Sequence, residues 1–323
     1  MLITKREAAD TMKKGVKPKS GSGFFAVFKK NWQLHLMILL PLVYILLFEY
    51  WPMYGIQIAF RDYSARQGIT GSKWVGLDNF SRFFSNFKWT QYVWNTLRLS
   101  LYSIFVGFPI PIILALIIHV NERPLLKKFT QNLSYIPHFI STVVMVGILN
   151  QLLDPFSGLW SMICQVFDMP AIDIRSVPEA FVHLYTWSGI WQNMGWSTII
   201  YLSALSAVSP ELHEAARIDG ASRLQRVWHV DLPAIMPMVA LMLILRFGSV
   251  MSVGFEKVFL MQNSLNLKYS EVISTYVYKY GIGRNDLSYG TAVGLMNSIV
   301  NMIMLLVVNF IANKASDGEA GMF

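Results

Sequence analysis

The sequence predicts an all-α integral membrane protein with six spanning helices, and three observations carry that reading. Charged residues make up only 14% of the 323-residue chain while 54% is hydrophobic, against about 25% charged in ordinary soluble domains. Six apolar stretches reach the length of about 20 residues that a spanning helix needs: roughly 35–53, 96–120, 132–153, 181–208, 233–254 and 288–312. They are continuous runs, not the short alternating strands of a closed barrel, the other structure that satisfies its backbone inside lipid. The basic residues are also unevenly placed. Eight of the 27 Lys and Arg residues lie in the first 34 positions (Lys5, Arg6, Lys13, Lys14, Lys17, Lys19, Lys29, Lys30). Arg123, Lys127 and Lys128 follow the second stretch, Arg217, Arg223 and Arg226 the fourth, and Lys314 the last. The positive-inside rule puts both termini and these two loops in the cytoplasm, which an even number of spans requires.

Residues 1–34 read as a basic cytoplasmic tail. Its Ser20-Gly21-Ser22-Gly23 run is linker-like, and Phe24, Phe25, Val27, Phe28 and Trp32 beside Lys29 and Lys30 predict an amphipathic segment on the inner headgroups. The net charge of +8 is therefore assigned to topology and lipid contact, not to nucleic acid. The polar leader is too long for a cleaved signal peptide.

The spanning domain is expected over 35–312, with an outer loop at 54–94, a cytoplasmic loop at 209–231 and a short tail at 313–323. Aromatics at Tyr50-Trp51 and then Pro52 suit the outer end of the first span. In the outer loop Asp78 is expected to cap a short helix running to about Phe87. Pro109 and Pro111 in the second stretch, and Pro233 and Pro237 in the fifth, predict bends that neighbouring helices must re-satisfy. The single cysteine, Cys164, gives no disulfide and no metal framework.

The loop at 209–231 is the most informative part of the chain. Ser209 as N-cap, Pro210 at the first helical position and Glu211 near the positive dipole end make a good helix start. Gly220 permits a sharp left-handed turn. A second short helix is expected from Ser222 to Val230, with Pro233 starting the fifth span. The order Glu214-Ala215-Ala216, Gly220, then Val230-Asp231-Leu232-Pro233 resembles the EAA loop of ABC-importer permeases, with Val230 where Ile is usual. Two outer-loop runs, Gly55 to Tyr63 and Trp74 to Phe80, resemble the oligosaccharide and polysaccharide branch of the carbohydrate-type permeases.

The resemblance implies a type I ABC-importer permease in the bacterial inner membrane. It implies that Glu214, Ala215, Ala216, Arg217, Asp219, Gly220, Leu232 and Pro233 couple to a dimeric cytoplasmic ATPase. It also implies a second homologous permease chain and a periplasmic solute-binding protein as partners. No G-x-x-x-x-G-K-[ST] run is present, so ATP and Mg belong to the ATPase, and no cofactor is expected in this chain. An anionic glycan such as alginate is among the implied cargoes, another small solute being the alternative.

Arg246, deep in the fifth stretch, is the expected cavity cation because a central Arg costs about 2.5–3.5 kcal/mol on insertion scales. It would fork onto a uronate carboxylate or pair with the partner permease. Glu49 and Arg98 lie near segment ends, where snorkelling serves them. Trp187, Trp191, Asn193 and Tyr201, with Asn297 and Asn301, offer the aromatic faces and amides that sugars need, although aromatic stripes also serve as packing. His213-Glu214 opens like a zinc-protease motif, but Arg217 stands where the second His is required, so no metal is expected. Gly195-Trp196-Ser197 with His138 or His183 leaves an intramembrane hydrolase as a competing class.

Overall fold

The computed structural model describes residues 32–315; the amphipathic segment expected within 1–34 and most of the 313–323 tail lie outside them. Contacts divide the chain into two units, Met1–Ile56 and Gln57–Phe323. The first supplies most of helix α1, Trp32–Phe60. Leu36, Met37, Leu40, Leu47 and Phe48 are all exposed along it. A helix apolar on all faces is soluble only in lipid or a core.

In the second unit the two outer-loop runs meet each other. Strand β1, Arg61–Asp62, pairs antiparallel with β2, Lys73–Trp74, in the register Arg61 to Trp74. Phe60 stacks on Trp74 at 5.5 Å, and the Asn79 amide donates to the carbonyls of Ala59 and Arg61 at 3.0 and 3.1 Å. Helix α2 runs Asp78–Phe84, with Leu77 at its N-cap. Asp78 therefore does not cap it; the carboxylate sits in the first turn, where the helix dipole favours it. Arg82 of α2 reaches Asp286 at 2.7 Å.

Helix α3, Trp89–Val120, is one apolar element, interrupted at Phe108 between Gly107 and Pro109. The expected span at 132–153 is corrected. It is a bent pair, α4 (Pro124–Phe139) and α5 (Thr142–Leu152), at 100°. Pro137 stands in the closing turn of α4, and the Ser141 hydroxyl caps α5 by accepting from Val144 N. Both devices favour a new helix over continuation. Helix α6 (Leu159–Val166) and then α7 (Ala180–Ser206) follow. With 27 residues at about 1.5 Å each, α7 is long enough to cross a bilayer, but it is studded with Thr186, Ser188, Gln192 and Thr198, which it buries.

Helices α8 (Pro210–Ile218) and α9 (Arg223–Phe247) replace the two short helices expected in the 209–231 loop. The second is continuous with the fifth apolar stretch, and Pro233 lies inside it. A π-turn over Val227–Asp231, closed by Leu232 N–H to Val227 O, precedes the proline. That wider turn accommodates a ring that cannot donate to the carbonyl of His229. The element ends at Phe247 rather than 254. Then come α10 (Phe255–Met261), α11 over 273–282, and α12 (Leu287–Ala315).

Helices α1, α3, α9 and α12 are long and apolar enough to cross a membrane, and the α4–α5 pair makes a fifth crossing if it counts as one. Helix α7 packs along α3. One buried cluster, Ile112, Ala115, Ile118, Leu205 and Ile235, joins α3, α7 and α9. Another joins Leu99, Phe181, Val182, Val258 and Val272. A Cβ on Gly195 of α7 would overlap the backbone carbonyl of Ser134 on α4, so this close crossing requires glycine. Gly195→Ala is therefore expected to cost about 1–3 kcal/mol through overpacking, read as a lower thermal midpoint in detergent. Gly147→Ala on α5, where the added methyl meets nothing within 4 Å, should not lower it.

Candidate functional site: a charged helical turn and a cationic cavity

The α8–α9 corner is built by local rules. The Ser209 hydroxyl accepts from Glu211 N at 3.3 Å and Pro210 opens α8. At the other end Ala221 N donates to Ala216 O at 2.9 Å and Gly220 N to Arg217 O at 3.1 Å, with Gly220 at φ +80°. This pair of bonds is a Schellman stop, which needs a residue in the left-handed region. Asp219 precedes the glycine as the α8 C-cap. Ser222 and Gln225 then exchange a reciprocal capping box that starts α9. Glu214 and Ala215 are exposed on α8 and Ala216 is partly covered. Leu232 packs against the α3–α7–α9 cluster, and Pro233 is exposed.

Glu122, from the α3–α4 loop, holds both sides of this corner, with Arg217 at 3.2 Å and Arg223 at 2.9 Å. Asp231, only 1% exposed, faces His213 of α8 at 3.2 Å and His119 of α3 at 3.6 Å. Sequence reading missed these contacts. His119 and Glu122 lie about 100 residues from their partners, and no local pattern announces such a pairing.

The second feature is a cavity of about 680 Å³ between α3, the α4–α5 break, α7, α9 and α10. Arg246, Lys257, His138, Asn193, Gln192 and Ser197 contribute its polar lining. Arg246 also borders two adjoining cavities of about 410 and 200 Å³. Among the described residues neither Arg246 nor Lys257 has a carboxylate within ion-pair distance. The Lys257 ammonium donates to the Tyr185 carbonyl at 2.9 Å and lies over the Tyr185 ring at 4.8 Å. Burial lowers its pKa to about 8, because desolvation penalises the charged form.

Of the sequence-predicted lining residues, Arg246 and Asn193 meet in the main cavity, and Tyr201 borders an adjoining one. Trp187 and Trp191 are 52% and 43% exposed and do not line the main cavity. Asn301 accepts from Met251 N at 2.8 Å and donates to Ser252 at 2.7 Å, holding the chain beyond α9. Asn297 is on the same helix, with its carbonyl oxygen buried, and neither amide lines the cavity. Lys257 and Gln192 were not anticipated, since nothing in the sequence marks a lysine after a span as inward-facing.

The pieces of a serine hydrolase do not assemble. His138 stacks on Trp196 at 4.5 Å and bonds Asn193 at 3.1 Å, and among the described residues no hydrogen bond joins it to Ser197. His183 bonds Tyr102 at 2.8 Å, and it sits 14 residues from Ser197, about 21 Å along α7.

Residues 107–317 match the family model described as "Binding-protein-dependent transport system inner membrane component". A Bacillus subtilis (strain 168) protein named polygalacturonan/rhamnogalacturonan transport system permease protein YteP is 43% identical over 290 residues, 90% of each chain. A chain of a bacterial ABC transporter involved in the import of the acidic polysaccharide alginate superposes with a TM-score of 0.82 at 33% identity. The match covers 90% of this chain and 98% of that one. A second structure, of the bacterial alginate ABC transporter in complex with alginate pentasaccharide-bound periplasmic protein, gives 0.83 at 32%, covering 92% and 99%.

The lowered pKa of Lys257 has a direct readout. Acylation of its amine, followed by peptide mass spectrometry against pH, should rise with a midpoint near 8. Exposed lysines should follow near their ordinary value of about 10.4. A Lys257 midpoint at the exposed value would contradict the desolvated placement.

Proposed function

The chain belongs to the binding-protein-dependent transport system inner membrane component family, and from that premise we propose that it carries acidic oligosaccharides as one half of an ABC importer's pathway. It is a sugar-importer permease in the inner membrane, not an enzyme. The single observation behind the acidic cargo is the cavity in which Arg246 and Lys257 stand without carboxylate partners among the described residues. An arginine left unpaired in a spanning helix, as Arg246 is, is costly, and a guanidinium that forks onto a sugar carboxylate recovers that cost. The carboxylate-bearing glycans in the names of its relatives support the same reading. Asn193, Gln192 and Ser197 add hydroxyl-binding groups.

In this proposal six spans are formed by α1, α3, the bent α4–α5 pair, α7, α9 and α12, with both termini cytoplasmic. A second permease chain completes the pathway, and a periplasmic binding protein delivers cargo. A dimeric ATPase, which binds ATP and Mg, grips α8 through Glu214, Ala215, Ala216 and the turn at Arg217, Asp219 and Gly220. Leu232 and Pro233 pass its movement into α9. Because α9 is one helix from Arg223 to Phe247, a displacement at the corner reaches Arg246 along a single continuous element. Binding energy and ATP state then shift the balance between inward- and outward-facing forms.

Two experiments test these assignments. Arg246→Gln should reduce uptake of a uronate oligosaccharide into proteoliposomes roughly tenfold or more, the equivalent of one charge-assisted hydrogen bond, with little effect on a neutral oligosaccharide of equal length. Equal loss on both would count against a carboxylate contact. Glu214→Ala or Gly220→Val should abolish cargo-stimulated ATP hydrolysis in the reconstituted complex while the chain still inserts; unchanged stimulation would overturn the docking role.

A further inference from the structure

We propose that His119, His213 and Asp231 form a binding site for a divalent transition metal, with zinc the best chemical fit. The three side chains come from three elements: the end of α3, the middle of α8 and the π-turn of α9. Their ligand atoms all lie within 4.8 Å of one another. Asp231 Oδ1 is 3.2 Å from His213 Nε2 and 3.6 Å from His119 Nε2. Bond lengths of about 2.0–2.2 Å in a tetrahedral zinc site separate neighbouring ligand atoms by roughly 3.3–3.6 Å. The two separations from Asp231 therefore already suit an ion placed between the three groups.

A second observation points to a ligand. His213 Nε2 and Asp231 Oδ1 are both buried and neither has a hydrogen-bond partner, even though they approach each other closely. Buried polar atoms are normally satisfied, and a cation between the imidazole and the carboxylate would satisfy both. The site opens onto a cavity of about 410 Å³ lined also by Glu122, Arg217, Arg223 and Arg226, which leaves room for a water as fourth ligand. Glu122 engages Arg217 and Arg223, so two of the three nearby guanidiniums are partly neutralised. Two imidazoles and one carboxylate select zinc and its neighbours over magnesium or calcium, which prefer oxygen alone.

A metal here would pin α8 to both the end of α3 and the start of α9. The motif-like His213-Glu214 pair fails as a zinc motif within its own helix because Arg217 stands one turn on. Here the missing ligands arrive from elsewhere in the fold.

The test uses the intact purified transporter complex, stripped with chelator, reloaded with zinc alone and desalted. Retained zinc is measured by mass spectrometry, and cobalt(II) is used in parallel as a spectroscopic probe. About one zinc per chain beyond that of a His119→Asn/His213→Asn variant, with a tetrahedral cobalt spectrum present only in the unmodified complex, is the expected result. In case the variant fails to assemble, zinc is also titrated into the unmodified complex against a zinc indicator. Absence of stoichiometric uptake there, or equal retention by a well-assembled variant, would overturn the site. Metal retention is read without nucleotide or cargo, so its failure leaves the proposed function untouched.

Discussion

Inside a bilayer no water is available to satisfy a backbone that leaves the helix, so every bend must be answered by a neighbouring side chain. This chain bends where its cavity is, and each bend has its answer. At the α4–α5 break the Ile140 carbonyl accepts from the Gln192 amide at 2.8 Å. Beside the α3 interruption the Pro111 carbonyl accepts from Thr198 at 3.2 Å. After α9 the Met251 amide donates to Asn301. Two of the three answering side chains sit on α7, which explains why a helix long enough to span is also rich in buried polar groups. Its polarity is a structural requirement of the helices around it. Gly195 follows the same logic, because an α7 close enough to reach those carbonyls leaves no space for a Cβ against Ser134.

The parts of the fold that were legible in the sequence are those governed by local physics. The apolar runs fixed the long helices α1, α3, α9 and α12, because lipid selects for composition over about 20 residues. Ser209, Pro210 and Gly220 announced the start and end of α8 by caps and dihedral preference. Local rules also misled. Pro233 reads as a helix start, yet a π-turn lets α9 run through it. The 132–153 run is long and mostly apolar, and its break rests on Pro137, on the Ser141 cap and on a hydrogen bond from a helix some fifty residues away. The candidate site was half legible for the same reason. Arg246 stood out as a charge in an apolar run, whereas Lys257 lies just outside one and becomes significant only when α10 folds back against α7.

The two features of the site make different demands on the same helix. At its cavity end α9 holds an exposed guanidinium that the rest of the described chain does not neutralise, and a bound anion or a partner chain would be its counter-charge. At its other end it is held by Asp231 against α8 and α3. The exposed Glu122 pairs add little energy, since ion pairs open to water contribute about 0–1 kcal/mol. They do restrict the angle between α8 and α9, because one carboxylate reaches across the turn to both arms.

The buried Asp231 contact differs in kind. A carboxylate removed from water and left unsatisfied costs several kcal/mol, so the α8–α9 corner has a strong reason to keep both imidazoles against it. Moving α8 alone would strand that charge. The lower-energy response to a push on α8 is therefore to move α8 together with the base of α9, rather than to flex at Gly220. A corner that is free to bend by its backbone and constrained by its buried charge passes displacement onward instead of absorbing it. In the proposed coupling, a push on α8 is passed through the buried Asp231 to the base of α9 and along that continuous helix to Arg246.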